Sequence, residues 1–188
     1  MSKKIGVIAE DNSDIQVIDE IFKKYLNHNE FKIKKFVGNG CGKLRNKCDS
    51  WTSTLFKSGC EYVFIFHDLD RNCAIELRKN LEQRVCPKKN ENSLIVIPTE
   101  ELEAWLLSDS KAIKSVFNLK KAPKKIANCE AIGSPKEHIR DLVYKLGKKR
   151  YLNTVHNKKI AEETSLTNFK RCKSFKPFHK FIEEKICA

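Results

Sequence analysis

Two aspartates close an apolar run in the segment Tyr62-Val63-Phe64-Ile65-Phe66-His67-Asp68-Leu69-Asp70. In an extended strand, residues i and i+2 point to the same side. A buried strand here would therefore aim both carboxylates from its C-terminal tip at one spot. Glu10 stands just after the apolar segment Ile5–Ala9, and Glu100, Glu101 and Glu103 stand just after Leu94–Ile97. Mg²⁺ and Mn²⁺ take carboxylate and water oxygens in octahedral array, and two or three carboxylates plus a substrate phosphate suffice. If their strands are neighbours, Glu10, Asp68 and Asp70 supply such a set. Asp14, one helical turn beyond Glu10, or Glu103 would serve a second ion. Crowded carboxylates hold their protons more tightly unless a cation neutralises them. An ion bound there would polarise a phosphoryl oxygen, activate a water or steady a leaving oxygen. The plainer alternative is that each acid caps the helix that follows it, where the helix dipole favours negative charge.

The elements that must position these residues follow from periodicity. Ile5–Ala9 predicts a buried first strand. Ile15, Ile18, Ile21, Phe22 and Tyr25 have helical spacing over Asp14–Leu26, with Asn12 or Ser13 as N-cap. Phe31–Val37 alternates as a half-exposed strand. Gly38-Asn39-Gly40-Cys41-Gly42 predicts a tight turn into a helix over Lys43–Lys57. This glycine run matches neither a dinucleotide fingerprint nor a Walker loop, although Lys43 at its edge is placed to meet a phosphate. The strand ending at Asp68, a helix over Ala74–Val85 and a strand over Leu94–Ile97 complete an alternating pattern. That pattern implies crossover units and a parallel, covered sheet, in which ligands gather at the C-terminal strand ends. After Pro98 the texture turns helical. Helices are expected from Glu101, over Lys111–Leu119, from Pro135 with Ser134 as N-cap, over Asn157–Glu163 and over Pro177–Ile186. Trp105 is expected in the core, and His67 reads as a structural histidine rather than a base.

The 188 residues carry a formal net charge of +13. Residues 1–110 hold 17 Lys+Arg against 17 Asp+Glu, whereas residues 111–188 hold 20 against 7, so the whole excess lies in the C-terminal part. A neutral part holding the acids, joined to a basic part, suits a polyanion reaching an acidic metal centre. The eight cysteines include no C-x-x-C pair and read as reduced, buried thiols rather than zinc ligands. No apolar stretch approaches the roughly 20 residues of a membrane span. The start lacks the apolar core of a signal peptide, so a cytoplasmic location is expected.

Glu10-Asp11-Asn12-Ser13-Asp14 resembles the E-G-x-S/T-D/E opening of TOPRIM domains, Gly38-Asn39-Gly40 their glycine turn, and Asp68-Leu69-Asp70 their D-x-D. Asp11 replaces the usual glycine. Further along, Pro98-Thr99-Glu100-Glu101-Leu102-Glu103-Ala104-Trp105-Leu106-Leu107-Ser108-Asp109 is similar to the P-x-x-E-x-E-A-W-L-L-x-D signature of domain-of-unknown-function family 4276. Ser134-Pro135-Lys136, Lys159-Ile160-Ala161 and Cys172-Lys173-Ser174-Phe175 are similar to its later motifs.

The resemblance implies a TOPRIM-like, Rossmann-like α/β core over 1–110, related to OLD-family nucleases. A basic helical extension over 111–188 would pack on it as one compact unit. It implies a Mg²⁺- or Mn²⁺-dependent nuclease with Glu10, Asp68 and Asp70 as catalytic residues. Metal would be held by Glu10, Asp14, Asp68, Asp70, Glu101 and Glu103, and DNA or RNA by Lys43, Lys136, Lys158 and Lys159. Glu10 is alternatively the general acid/base. Such proteins often accompany a separate ABC- or AAA-type ATPase in bacterial anti-phage defence, and self-association into a homo-oligomer is compatible with the pattern. The alternative is a non-catalytic nucleic-acid-binding or ATPase-docking subunit. A receiver-like phosphotransfer domain, with Asp68 as phosphoacceptor, fits the glutamate-rich signature and the basic tail poorly.

Overall fold

A computed structural model of the protein describes residues 2–27, 29–86 and 90–187. Four strands, β1 (Lys3–Ala9), β2 (Phe31–Val37), β3 (Tyr62–Phe66) and β4 (Ser93–Val96), form one all-parallel sheet in the order β2-β1-β3-β4. The fold is α/β and Rossmann-like. From β1 the chain crosses to β2 on one side, and β3 then pairs on the other. The C-terminal ends of β1 and β3 therefore flank the point where strand order reverses, which is where open α/β sheets hold ligands.

Alternation along the strands sorts side chains into two layers. Ile5 and Val7 of β1 and Phe64 and Phe66 of β3 enter one buried core, while Ile8, Val63 and Ile65 enter the other. The second core lies under α2 (Cys41–Lys57) and α3 (Ala74–Asn80), the latter continued by a π-helical turn over Leu81–Val85. Gly6 of β1 lets α2 approach closely. A Cβ there would stand 3.0 Å from Leu55 Cδ1 and 3.1 Å from Val63 Cγ2.

The first core is covered by α1 (Asn12–Phe22) and by the elements after β4. These are α4 (Glu103–Leu106), α5 (Ser110–Phe117), α6 (Pro135–Gly147), α7 (Asn153–Glu163), α8 (Leu166–Phe169) and α9 (Lys176–Phe181), the last continued by a π-helical turn over Ile182–Ile186. Phe178 of α9 meets Phe22, Phe64 and Phe66 edge-on at centroid distances of 5.6, 5.2 and 5.3 Å. Trp105 is buried, and its indole Nε1–H donates to Ser174 Oγ at 2.8 Å. One apolar core is thus shared by residues on both sides of position 110.

α3 and α6 start at Ala74 and Pro135 as the pattern suggests, with Ser134 at the N-cap position of α6, whereas α1 starts earlier because its cap is a different residue. Asp11, not Asn12 or Ser13, caps α1. Its side chain accepts the Asn12 N–H, and Asp14 Oδ2 in turn accepts the Asp11 N–H at 2.9 Å in a capping box. Asp11 has extended φ of −132°, so this position makes no demand for glycine. Five cysteines are buried as expected, but Cys41, Cys73 and Cys187 are exposed, and none of the eight is in a disulfide. No helix among the described residues is long and apolar enough to cross a membrane.

Candidate functional site

Beyond the tips of β1 and β3 lies a cavity of about 380 Å³. Its walls include Glu10, Asp11, Asp14, Asp68, Glu101 and Glu103, together with Ser13, Asn39, Gly40, Lys136 and Asn153. Glu10 arrives from the end of β1, Asp68 from the end of β3, and Asp11, Ser13 and Asp14 from the start of α1. Gly40, at φ 116°, turns the chain from β2 into α2, and its N–H donates to the Glu10 carbonyl at 3.3 Å. Lys136 and Asn153 come from the first turns of α6 and α7.

Most of these carboxylates are fixed through one oxygen. Asp68 Oδ1 accepts the Leu102 N–H at 3.1 Å, Glu101 Oε2 accepts the Lys136 N–H at 2.8 Å, and Glu103 Oε1 accepts from Asn157 Nδ2 at 2.9 Å. Asp14 is held by its capping box. A carboxylate has about four lone-pair sites, so each keeps capacity toward the cavity. Glu10 differs: the Asp68 backbone reaches its carboxylate and favours its charged form, but its Oε1 is buried and has no hydrogen-bond partner. The nearest candidate, His67 Nδ1, is 3.5 Å away and is already committed at 2.7 Å to the Asp68 carbonyl. Arg45 Nε donates to His67 Nε2 at 2.9 Å. The ring is therefore the neutral tautomer with its proton on Nδ1, and burial lowers its pKa. The Glu10–His67 contact is accordingly not an ion pair.

The cavity raises the proton affinity of its acids. Burial, then the Glu103 charge, pushes Asp14 up to about 8. Burial, followed by Asp14, Glu103, Glu10 and Asp70, raises Asp68 well above the ordinary aspartate range. Burial and the Asp70 charge raise Glu10. Burial raises Glu101, with the Lys136 amide acting against it. This is the electrostatic state of hard oxygen donors that outnumber the cations near them, Lys136 on the cavity wall and Arg45 beside Glu10.

Asp68 and Asp70 line different cavities, although the Asp70 charge still reaches Glu10 and Asp68. β3 ends at Phe66, and Asp70 has a left-handed φ of 46°, so Asp68 and Asp70 are not i, i+2 neighbours on one extended strand. Asp68 faces the cavity at the switch point. Asp70 lines an adjoining cavity of about 370 Å³ with Arg71, Glu100, Glu101, Gly133, Ser134 and Glu137. The loops stay laced together, with the Leu69 N–H on the Pro98 carbonyl and the Asp70 N–H on the Glu100 carbonyl, both at 3.1 Å. Glu101 borders both cavities. Among the described residues no group of three or more His, Cys, Asp or Glu side chains is already arranged to hold a metal ion. The carboxylates share walls without forming a ligand cage.

Of the basic residues proposed from sequence, Lys136 borders the cavity. Lys43, Lys158 and Lys159 line neither cavity: all three are exposed, and Lys158 Nζ lies 3.6 Å from Glu20 Oε1. Sequence reasoning missed Asn153 and Asn157. Neutral side chains contributed from distant helices carry no local signal. Asn157 is fully buried and accepts from the Tyr151 hydroxyl while donating to Glu103. Asn157→Ala would leave both partners unsatisfied and is expected to cost about 2 kcal/mol in urea unfolding. Ser134 heads α6 without a side-chain capping bond, and Glu101, from beyond β4, serves its N-terminus instead.

Comparison with known proteins matches residues 9–183 to the model of the family described as Domain of unknown function (DUF4276). No curated protein and no solved structure matches the chain.

Proposed function

The chain belongs to the DUF4276 family, and from the chemistry of its acidic cavity we propose that it is a divalent-cation-dependent nuclease. The observation that carries this reading is Glu10 Oε1. It is a buried carboxylate oxygen without a partner, in a cavity lined by six carboxylates. Such an oxygen is costly to leave unsatisfied, and a hard cation satisfies it while lowering the proton affinity of its neighbours. The all-oxygen donor set suits Mg²⁺ or Mn²⁺.

Glu10 and Asp68 would hold the ion, with Asp14 and Glu103 as further donors and Asp70 acting from the adjoining cavity. When bound, the ion supplies charge stabilisation at a phosphoryl oxygen and lowers the pKa of a bound water. The protein's own residues do the rest. Lys136 and the N-terminal turns of α6 and α7 offer positive charge to a phosphate at the cavity wall. Glu10, its proton affinity raised by burial, is matched to taking up or giving a proton. The Arg45–His67 pair holds the β3 tip in place through the Asp68 carbonyl. Negative walls within a chain of net charge +13 give a polyanion a long-range attraction to the protein and a local need for the cation.

On the resemblance of its motifs to those of TOPRIM and OLD-type nucleases, we extend the proposal to an anti-phage effector working with a separate ATPase. One observation favours the second reading, a binding or docking subunit without catalysis: Asp11, Asp14 and Glu101 already serve as helix caps. The deciding experiment incubates the purified chain with plasmid, linear and single-stranded DNA and with RNA, in Mg²⁺, Mn²⁺ or EDTA. Cleavage in metal but not in EDTA, lost in Glu10→Gln, supports the nuclease. Salt-sensitive binding with no cleavage under any condition supports the subunit.

A further inference from the structure

A third cavity, of about 630 Å³, adjoins the acidic one through the chain itself. Tyr151 and Leu152 line it, and the next residue, Asn153, lines the acidic cavity. Its other walls are α6 and the segment after it: Arg140, Asp141, Tyr144, Lys148, Lys149 and Arg150. Three features set it apart.

First, Lys136, Arg140 and Tyr144 recur every four residues and so form one stripe along α6, and Lys148 follows it as the left-handed residue that ends the helix. The stripe starts at the acidic cavity, and at 1.5 Å per residue Tyr144 lies about 12 Å along the helix from Lys136. Second, Tyr144 is 59 % exposed and Leu152 40 % exposed, placing two large apolar side chains in water beside each other's cavity walls. Lys148 Nζ stands over one face of the Tyr144 ring, 4.7 Å from its centroid, so a base stacking on that face takes the lysine's place and frees its charge for a phosphate. Third, Arg140 is paired with Asp141 at 2.9 Å, whereas Lys148, Lys149 and Arg150 form no ion pair among the described residues.

A positively charged groove with an exposed aromatic ring is what a single nucleic-acid strand requires. Phosphates take the cations, and a base stacks on the ring whatever its identity. We infer that the α6 stripe and this cavity bind a single-stranded segment of nucleic acid running out of the acidic cavity, with one base stacked on Tyr144. The interval from Lys136 to Tyr144 accommodates roughly three to four stacked nucleotides at 3.4 Å each. The inference rests on the nucleic-acid reading of the acidic cavity but not on cleavage there.

The test measures fluorescence anisotropy of a labelled 20-nucleotide DNA strand, its RNA equivalent and the corresponding duplex with the full chain in EDTA. Tyr144→Ala is expected to weaken single-strand binding on the order of tenfold, while Tyr144→Phe keeps wild-type affinity. Lys148→Gln combined with Arg150→Gln is expected to reduce the slope of log K against log salt by about 1.4, for two lost phosphate contacts. Single-strand binding by Tyr144→Ala equal to wild type overturns the inference. So does duplex binding that is tighter than single-strand binding and indifferent to Tyr144, or a poly-glutamate peptide that binds more tightly than the oligonucleotide. Tyr144-dependent binding without cleavage in Mg²⁺ would sink the nuclease and leave this surface standing. Cleavage in Mg²⁺ with Tyr144-independent binding would do the reverse.

Discussion

Asp68→Asn is expected to lower metal-dependent cleavage by on the order of 10³ while raising the melting temperature of the metal-free protein. The rate effect follows from removing a donor charge at the tip of β3, where a cation would supply several kcal/mol of stabilisation. The stability effect follows from the same position. Asp68 sits among Asp14, Glu103, Glu10 and Asp70, and burial with those charges holds its proton affinity well above the ordinary range. Asparagine keeps the oxygen that accepts the Leu102 N–H and removes the charge that the cavity resists. Opposite movements in rate and stability cannot arise from misfolding, and a trade of this kind is common where function needs crowded charge. Cleavage of DNA or RNA at the wild-type rate by Asp68→Asn would remove the acidic cavity from the chemistry.

The second large effect is a pH dependence of stability that a divalent cation cancels. The pKa of Asp14 rises from its ordinary 3.8 to about 8 in the folded chain. Between those values the folded state keeps a proton that the unfolded chain has released, so native protein binds more protons and stability falls as pH rises. The contribution is fully present below about pH 4 and lost through about pH 8. Asp68, Glu10 and Glu101 shift in the same direction and reinforce it. Metal-free protein should therefore melt lower at pH 8 than at pH 5.5, and Mg²⁺ or Mn²⁺ should raise the melting point more at pH 8. Asp14→Asn keeps an acceptor for the Asp11 N–H and should stabilise the metal-free chain at pH 7.5 by on the order of 2 kcal/mol, about 5 °C. The figure is smaller than the full shift because water and side chains relax around the charge. A flat profile in both proteins would show that the cavity does not hold these acids under tension.

Much of the fold was legible because its elements announce themselves locally. Phe31–Val37 alternates, and the strand and the observed β2 have the same bounds. The run Tyr62–Phe66 is continuously apolar because β3 is covered on both faces, with Phe64 and Phe66 in one core and Val63 and Ile65 in the other. Helix starts were less legible. Caps depend on single polar atoms: α1 is capped by Asp11, and α6, although it starts at Pro135 as its Ser134-Pro135 pair indicates, is served by Glu101 from 35 residues away. The candidate site divides in the same way. The glutamates and aspartates were visible as acids after apolar runs. Their partition into two cavities was not, because it depends on the turn at Asp70, which is bonded both locally by Asn72 and to the segment after β4.

The sequence by itself determined the alternating α/β pattern, the acids at the strand ends and the one-sided basic charge of the C-terminal part. Each is a property of residue type and short-range spacing. Only the tertiary structure decided that β1 and β3 are neighbours, which brings Glu10 and Asp68 to one switch point. It alone decided that Asp70 lines the adjoining cavity, that Lys136 and Asn153 finish the acidic cavity from helices far along the chain, and that Asn157 holds Glu103 from behind it. Strand order and loop conformation are set by which apolar faces bury together and which backbone groups find partners across the fold, and those are long-range choices that no local pattern encodes.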